Sequence, residues 1–307
     1  MPPASPAPSA PLPAAPFGRL AAAMITPFTQ DGELDLPGTA KLAAHLTGRG
    51  GCDALVVNAT TGEAPTTTDA EKAAVVRAAA EAAGGAPVIA GVGTADTRHS
   101  VALARAAAGA GASGLLVVTP YYSRPGEEAV VRHLRAVADA TDLPVMLYDI
   151  PARTGEGTAL TPGALRRLAE HPRIVAVKDC SYDLFKAGLV LHETDLAYYS
   201  GSDELNLPLL SIGAAGCVST AANVAGPQVR AVLDAHLAGD PATAAARHRA
   251  LLPLIHALMT EAPGTVTVKA VFHTAGLPGG PPRPPLLPAD ESLTTRVTTA
   301  LRAALGG

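Results

Sequence analysis

The chain has 307 residues, a formal net charge of -4, and 48% hydrophobic against 16% charged residues, enough apolar material for a large core and far from the composition of a disordered chain. No dense cluster of Lys and Arg is present, which argues against nucleic-acid or anionic-membrane partners, and no run of roughly 18 apolar residues reads as a membrane span. Three cysteines, Cys52, Cys180 and Cys217, are odd in number and widely spaced; they fit neither a disulfide framework nor a CxxC site and are expected to be reduced thiols of a cytoplasmic protein.

Residues 1–16 hold seven prolines and no charged side chain. They lack the basic and apolar regions of a secretory signal and are expected to be a disordered tail. Eight short apolar runs follow: 21–28, 54–58, 87–92, 114–119, 144–150, 174–179, 197–202 and 216–221. They are continuous rather than alternating in polarity, the pattern of parallel strands covered on both faces. Between them lie stretches with helical spacing, among them 68–85, 98–111 and 126–141, the first with Asp69 and Glu71 near its start and Gly84-Gly85 at its stop. Eight strands alternating with helices predict an α/β fold, a (β/α)8 TIM barrel over 17–225. Beyond it, 226–240, 241–259 and 291–305 read as three helices broken by the proline-rich turn 277–288, a C-terminal helical appendage over 226–307. A doubly wound open sheet is the alternative, because periodicity does not show closure.

In a barrel of this type the chemistry lies at the carboxyl ends of the strands. Lys178 follows the apolar run Ile174–Val177 near one such end. Burial there would disfavour the ammonium and leave a neutral amine able to attack a ketone and form a Schiff base. Alternation along the strand turns Asp179 to the opposite face, away from Lys178; snorkelling to solvent is the other reading. Imine chemistry needs a proton shuttle, and Tyr148, at the fifth strand end, and Tyr121-Tyr122, after the fourth, are candidates, although single tyrosines are more often core aromatics. Thr60, Thr61 and Gly62 would offer hydroxyls and amides to a carboxylate, or else form an ordinary helix cap. Arg153 is a bidentate partner for a second carboxylate, or a solvated loop residue. The nine histidines show no HxH or HExxH spacing, so no metal ligand set is expected, and "GVGTAD" lacks the third glycine of a dinucleotide fingerprint.

Taken together, "TTGE", "TPYYSRPG", "LYDIPARTG" and the lysine of "AVKD" resemble the signature set of the pyruvate-dependent class I aldolase family that contains the dihydrodipicolinate synthases and N-acetylneuraminate lyases, in order and spacing from about residue 18 to the C-terminal helices. The resemblance implies a barrel with C-terminal helices, no metal or organic cofactor, and a homotetramer built as a dimer of dimers. It assigns Lys178 the Schiff base and Tyr148 the proton relay. Thr60 would be the hydrogen-bonding partner of Tyr148, and Tyr122 would complete the relay in a neighbouring subunit. Thr61 would hold the pyruvate carboxylate, with Gly201 and Val218 lining the pocket. Arg153 matches the arginine that marks the synthase branch, so pyruvate and L-aspartate 4-semialdehyde are the expected substrates, on the route to diaminopimelate and lysine. Another Schiff-base pyruvate aldolase, acting on a keto-deoxy sugar acid or an N-acetylneuraminate-like compound, is the alternative; a catalytically silent binding protein is a third reading. Ala59 stands where the family has glycine, and Ser202-Asp203 where a double aspartate is common. At the places of the family's lysine-feedback site stand Ala64, Pro65, Asp69, Lys72, Ala95 and His99, with Tyr121 retained, from which weak or absent lysine inhibition is expected.

Overall fold

The computed structural model describes residues 13–306. Eight parallel strands, β1 (Leu20–Ala23), β2 (Ala54–Val57), β3 (Val88–Gly91), β4 (Gly114–Val118), β5 (Val145–Asp149), β6 (Ile174–Asp179), β7 (Ala197–Ser200) and β8 (Gly216–Ser219), pair in sequence order, and β8 pairs with β1. That last ladder closes the barrel and rules out the open sheet. Every strand residue is buried or half-buried, which is why the runs carry no polar alternation.

The helices between strands are α1 (Leu36–Thr47), α2 (Asp69–Ala82), α3 (Thr97–Gly109), α4 (Glu127–Ala138), the short α5 (Pro151–Thr154), α6 (Pro162–Ala169), α7 (Leu184–Glu193) and α8 (Asn206–Ser211). Several start where a short polar side chain takes up orphan amides: Asp35 accepts from Gly38, Asp183 from Lys186, and Thr68 forms a reciprocal capping box with Glu71. The expected start at Asp69 therefore has Thr68 as its cap.

Four helices follow β8 rather than three: α9 (Ala222–Leu237), α10 (Pro241–Met259), α11 (Gly264–Ala275) and α12 (Glu291–Leu305). Helix α9 is kinked at Ala225, where φ -141 and ψ 38 are non-helical, and it packs on β1 and β8 in the position of the barrel's closing helix. The helix not foreseen is α11, whose "TVTVKAVF" is rich in β-branched residues and favours a strand by local propensity. Tertiary contacts override it: Thr267 Oγ1 donates to the carbonyls of Leu258 and Gly264, and Val268 and Phe272 are fully buried in the main core. Of the tail expected over 1–16, residues 1–12 lie outside the described residues; Ala15 accepts a hydrogen bond from Gly18, and Pro13 one from Arg19.

Apolar packing falls into two shells. Outward-facing strand residues such as Leu55, Val117 and Leu147 join the helices, while Ala21, Ala54, Ile89, Met146, Ala176 and Val218 fill the barrel interior. Phe17 and Tyr199 close its floor, the Tyr199 hydroxyl donating to the Gly18 carbonyl at 2.9 Å. One cavity opens at the carboxyl-end mouth, and another, of about 720 Å³, lies at the amino ends of β6 and β7 beside Ala15 and Pro16. No helix is long and apolar enough to cross a membrane among the described residues.

Candidate active site

Strands β5 and β6 bring Lys178 and Tyr148 side by side. The two residues are register partners in the ladder, and their side chains turn inward together. The Lys178 Nζ lies 4.2 Å from the centroid of the Tyr148 ring, and the residues are 4% and 5% exposed. Burial pulls the Lys178 amine below its ordinary 10.5, opposed by the Cys180 thiol and Asp203 and reinforced by Arg153. Burial pushes the Tyr148 phenol well above 10.0, with Cys180 in the same sense and Thr60 and Arg153 in the other. The pair is therefore an amine disposed to be neutral beside a phenol that keeps its proton, which suits attack on a carbonyl followed by proton donation to the departing oxygen.

Gly201, just past β7, makes room for this arrangement. A Cβ there would sit 2.8 Å from Lys178 Cε and 2.5 Å from Cys180 Sγ, closer than carbon or sulfur tolerates. Val218 on β8 is buried in the interior shell. The segment Thr60–Gly62 forms a turn after β2: Glu63 N donates to the Thr60 carbonyl at 3.2 Å, the Gly62 carbonyl accepts from Thr26 Oγ1 at 2.7 Å, and the Thr61 and Thr220 hydroxyls lie 3.3 Å apart. Neither Thr60, Thr61 nor Gly62 caps α2; that part belongs to Thr68.

Arg153 is exposed on α5 at the rim, and its charge bears on both Lys178 and Tyr148. Beside it opens a cavity of about 620 Å³ lined by Arg124, Pro151, Gly155, Cys180 and Tyr182. Tyr122 is not part of this cluster within the chain: it is 95% exposed, at φ +74. Tyr121 is 40% exposed.

Three contributions to the site have no assigned part in the sequence reading. Cys180 stands at the mouth between the amine, the phenol and Gly201, its thiol pushed up by burial. Asp203 is a buried anchor: it accepts from the amides of Thr220 and Ala221 at 3.0 and 2.8 Å, from Asn206 Nδ2 at 3.0 Å and from the Ser219 hydroxyl. It thereby fixes the loop after β8. On the outer face of the ladder, Lys186 from α7 ion-pairs with Asp149 at 2.6 Å and lies 3.9 Å from Asp179, which also accepts from the Tyr198 hydroxyl at 2.8 Å. Charge spacing along the chain gives no sign of such a triad, because its members are 30 and seven positions apart. No group of three or more His, Cys, Asp or Glu side chains is placed to hold a metal ion among the described residues.

The model of the dihydrodipicolinate synthetase family matches residues 16–304. The chain is 59% identical over 288 residues to 4-hydroxy-tetrahydrodipicolinate synthase 1 of Streptomyces coelicolor, covering 93% of each chain. It is 54% identical over 291 residues to the 4-hydroxy-tetrahydrodipicolinate synthase of Acidothermus cellulolyticus, covering 94% of this chain and 93% of that one. Among solved structures, the synthase of Cyanidioschyzon merolae with lysine bound superposes with a TM-score of 0.91 at 37% identity, over 95% of this chain and 99% of that one.

Proposed function

The chain belongs to the dihydrodipicolinate synthetase family, and on that premise we propose that it condenses pyruvate with L-aspartate 4-semialdehyde through an imine on Lys178, the 4-hydroxy-tetrahydrodipicolinate synthase reaction. The observation that carries the reading is the buried Lys178 amine held over the Tyr148 ring at the barrel mouth.

The neutral amine attacks C2 of pyruvate, and the carbonyl oxygen leaves as water after taking protons relayed by Tyr148. The Thr60–Gly62 turn holds the pyruvate carboxylate, with Gly201 and Val218 shaping the space around it. Loss of a C3 proton gives the enamine, whose C3 attacks the aldehyde carbon of the semialdehyde. The semialdehyde amine then adds to C2 and expels Lys178 as the ring closes, regenerating the free amine. Every electron shift is met by a proton transfer, so the cycle needs no metal and no organic cofactor. Tyr122 stands out from its own chain, as a residue reaching a neighbouring subunit's site would, and a homotetramer accommodates that relay.

Arg153 receives the semialdehyde carboxylate at the rim. Replacing it by alanine is expected to raise KM for the semialdehyde by about ten- to a hundredfold while KM for pyruvate stays within about twofold. The function as a whole is tested by borohydride trapping with pyruvate, mapping of the adduct by mass, and assay with the semialdehyde. An adduct on Lys178 without semialdehyde turnover would assign the chain to a different pyruvate aldolase.

The Cyanidioschyzon merolae relative holds lysine; in this chain, polar side chains at the places that the family resemblance gives to lysine feedback are already engaged. His99 pairs with Asp69 at 2.9 Å, and the Lys72 ammonium donates to the Thr67 carbonyl. Sub-millimolar lysine is therefore expected to leave initial rates unchanged; half-inhibition in that range would overturn the expectation.

A further inference from the structure

The turn that presents Thr60, Thr61 and Gly62 to the mouth is held from behind by α11. Thr265 Oγ1 donates to the Thr61 carbonyl at 2.9 Å, and Lys269, one helical turn further along the same face, ion-pairs with Glu63 at 2.6 Å. The Lys269 and Glu63 side chains are only 2% and 1% exposed. Glu63 adopts the left-handed conformation at φ +56, which an L residue keeps only when its surroundings fix it. Its second carboxylate oxygen accepts from the Arg283 amide at 2.8 Å.

The rest of the pair's surroundings come from the segment after β1 and from the turn beyond α11. Lys269 also donates to the Pro281 carbonyl at 3.1 Å, and its Nζ lies 4.2 Å from the centroid of the Phe28 ring. The Arg283 guanidinium lies 4.2 Å from the same centroid and pairs with both oxygens of Glu71 on α2. A buried ion pair depends on its remaining contacts: Glu63 Oε2 takes the Arg283 amide and Lys269 the Pro281 carbonyl, while Glu63 Oε1 has no hydrogen bond and is held by the charge of Lys269 alone. The network ends two residues from Thr61, and neither Lys269 nor Thr265 takes part in the chemistry proposed above.

We propose that Lys269 and Thr265 are positioning residues for the carboxylate-binding turn, so that the helices beyond the barrel set the affinity of the site for its keto acid. The inference rests on the function proposed above and extends it to residues that never touch substrate. Removing the ammonium leaves the Glu63 carboxylate buried without its counter-charge. The turn then relaxes toward water, and the Thr61 amide and hydroxyl move with it.

The test measures kcat and KM for pyruvate, together with the pyruvate concentration that half-saturates borohydride trapping on Lys178. It is applied to Thr265→Val, Lys269→Met and the paired variant Glu63→Gln with Lys269→Met. Thr265→Val is expected to raise KM for pyruvate about fivefold, and Lys269→Met about tenfold or more, with kcat at saturation and KM for the semialdehyde within about twofold. The paired variant, which leaves no buried charge, is expected to recover most of the loss. Should Lys269→Met fail to fold, the isosteric Thr265→Val carries the test alone. Wild-type KM for pyruvate in the folded single variants, or a kcat loss with KM unmoved, overturns the inference while the wild-type adduct leaves the proposed function standing. Absence of the wild-type adduct removes both.

Discussion

Lys178→Ala is expected to lower kcat with pyruvate and aspartate semialdehyde by about a thousandfold or more, and to abolish the borohydride-trapped adduct. The reason is that the covalent route disappears, not merely one contact within it. The remaining four lysines, Lys41, Lys72, Lys186 and Lys269, offer no substitute. Lys186 and Lys269 are committed to carboxylates, Lys72 to a backbone carbonyl, and Lys41 lies outward on α1. The substitution removes a buried cationizable group and leaves no charge unpaired, so the variant should fold, which circular dichroism and a melting curve check. A pH series adds a second readout. Burial lowers the Lys178 pKa, so the neutral amine is already present at pH values where a solvated lysine is protonated. Trapping in the wild type should rise with pH through this depressed value and level off below the ordinary 10.5. A profile centred at or above 10.5, or turnover retained by Lys178→Ala, contradicts the assignment.

Lys186→Met should cost about 3–5 kcal/mol of stability and lower Tm by roughly 5–10 °C. The physical cause lies on the outer face of the β5–β6 ladder, where Asp149 is wholly buried and burial raises its pKa against the pull of Lys186. Without the ammonium, a carboxylate is left in the packed layer beneath α7 and must either take up a proton or open the structure. The pair Asp149→Asn with Lys186→Met should regain part of the loss, because Asp179 is then the one buried carboxylate of the triad and keeps its hydrogen bonds from Ser181 N and the Tyr198 hydroxyl; Leu160 N can still donate to the amide oxygen. A Tm within about 2 °C of wild type for the single variant would show that Lys186 is dispensable to the barrel wall.

Much of the barrel was legible because its strands are buried on both sides, so composition alone marks them: "ALVV" and "GLLVV" have no polar face to obscure the pattern. Closure was not legible, since the ladder between β1 and β8 joins residues some 200 positions apart. Helix α11 was missed because Thr265, Val266, Thr267 and Val268 favour extended backbone locally, whereas the helix is decided by distant partners such as the Thr61 carbonyl and Glu63. Lys178 and Tyr148 could be singled out because each ends an apolar run. Cys180 carried no such signal: a thiol at a strand end looks like any small core residue. Lys186 and Lys269 sit on helices where a lysine ordinarily reads as solvated, and only the fold discloses which carboxylates face them. Tyr122 was picked out by its motif, yet its side chain leaves its own chain's mouth.

The ladder between β5 and β6 slips by one position: Val145 pairs with Ile174 but Met146 with Ala176, leaving Val175 as a supernumerary residue. Beyond that residue Lys178 looks into the barrel and Asp179 away from it. Loss of Val175 itself would only restore regular pairing, but were a residue beyond the bulge deleted, such as Val177, Asp179 would face the barrel interior and the ammonium would meet Lys186 behind the wall. Heritable variation in this part of the molecule is therefore confined to exchanging side chains. Changes of chain length have to be absorbed by the loops at the rim.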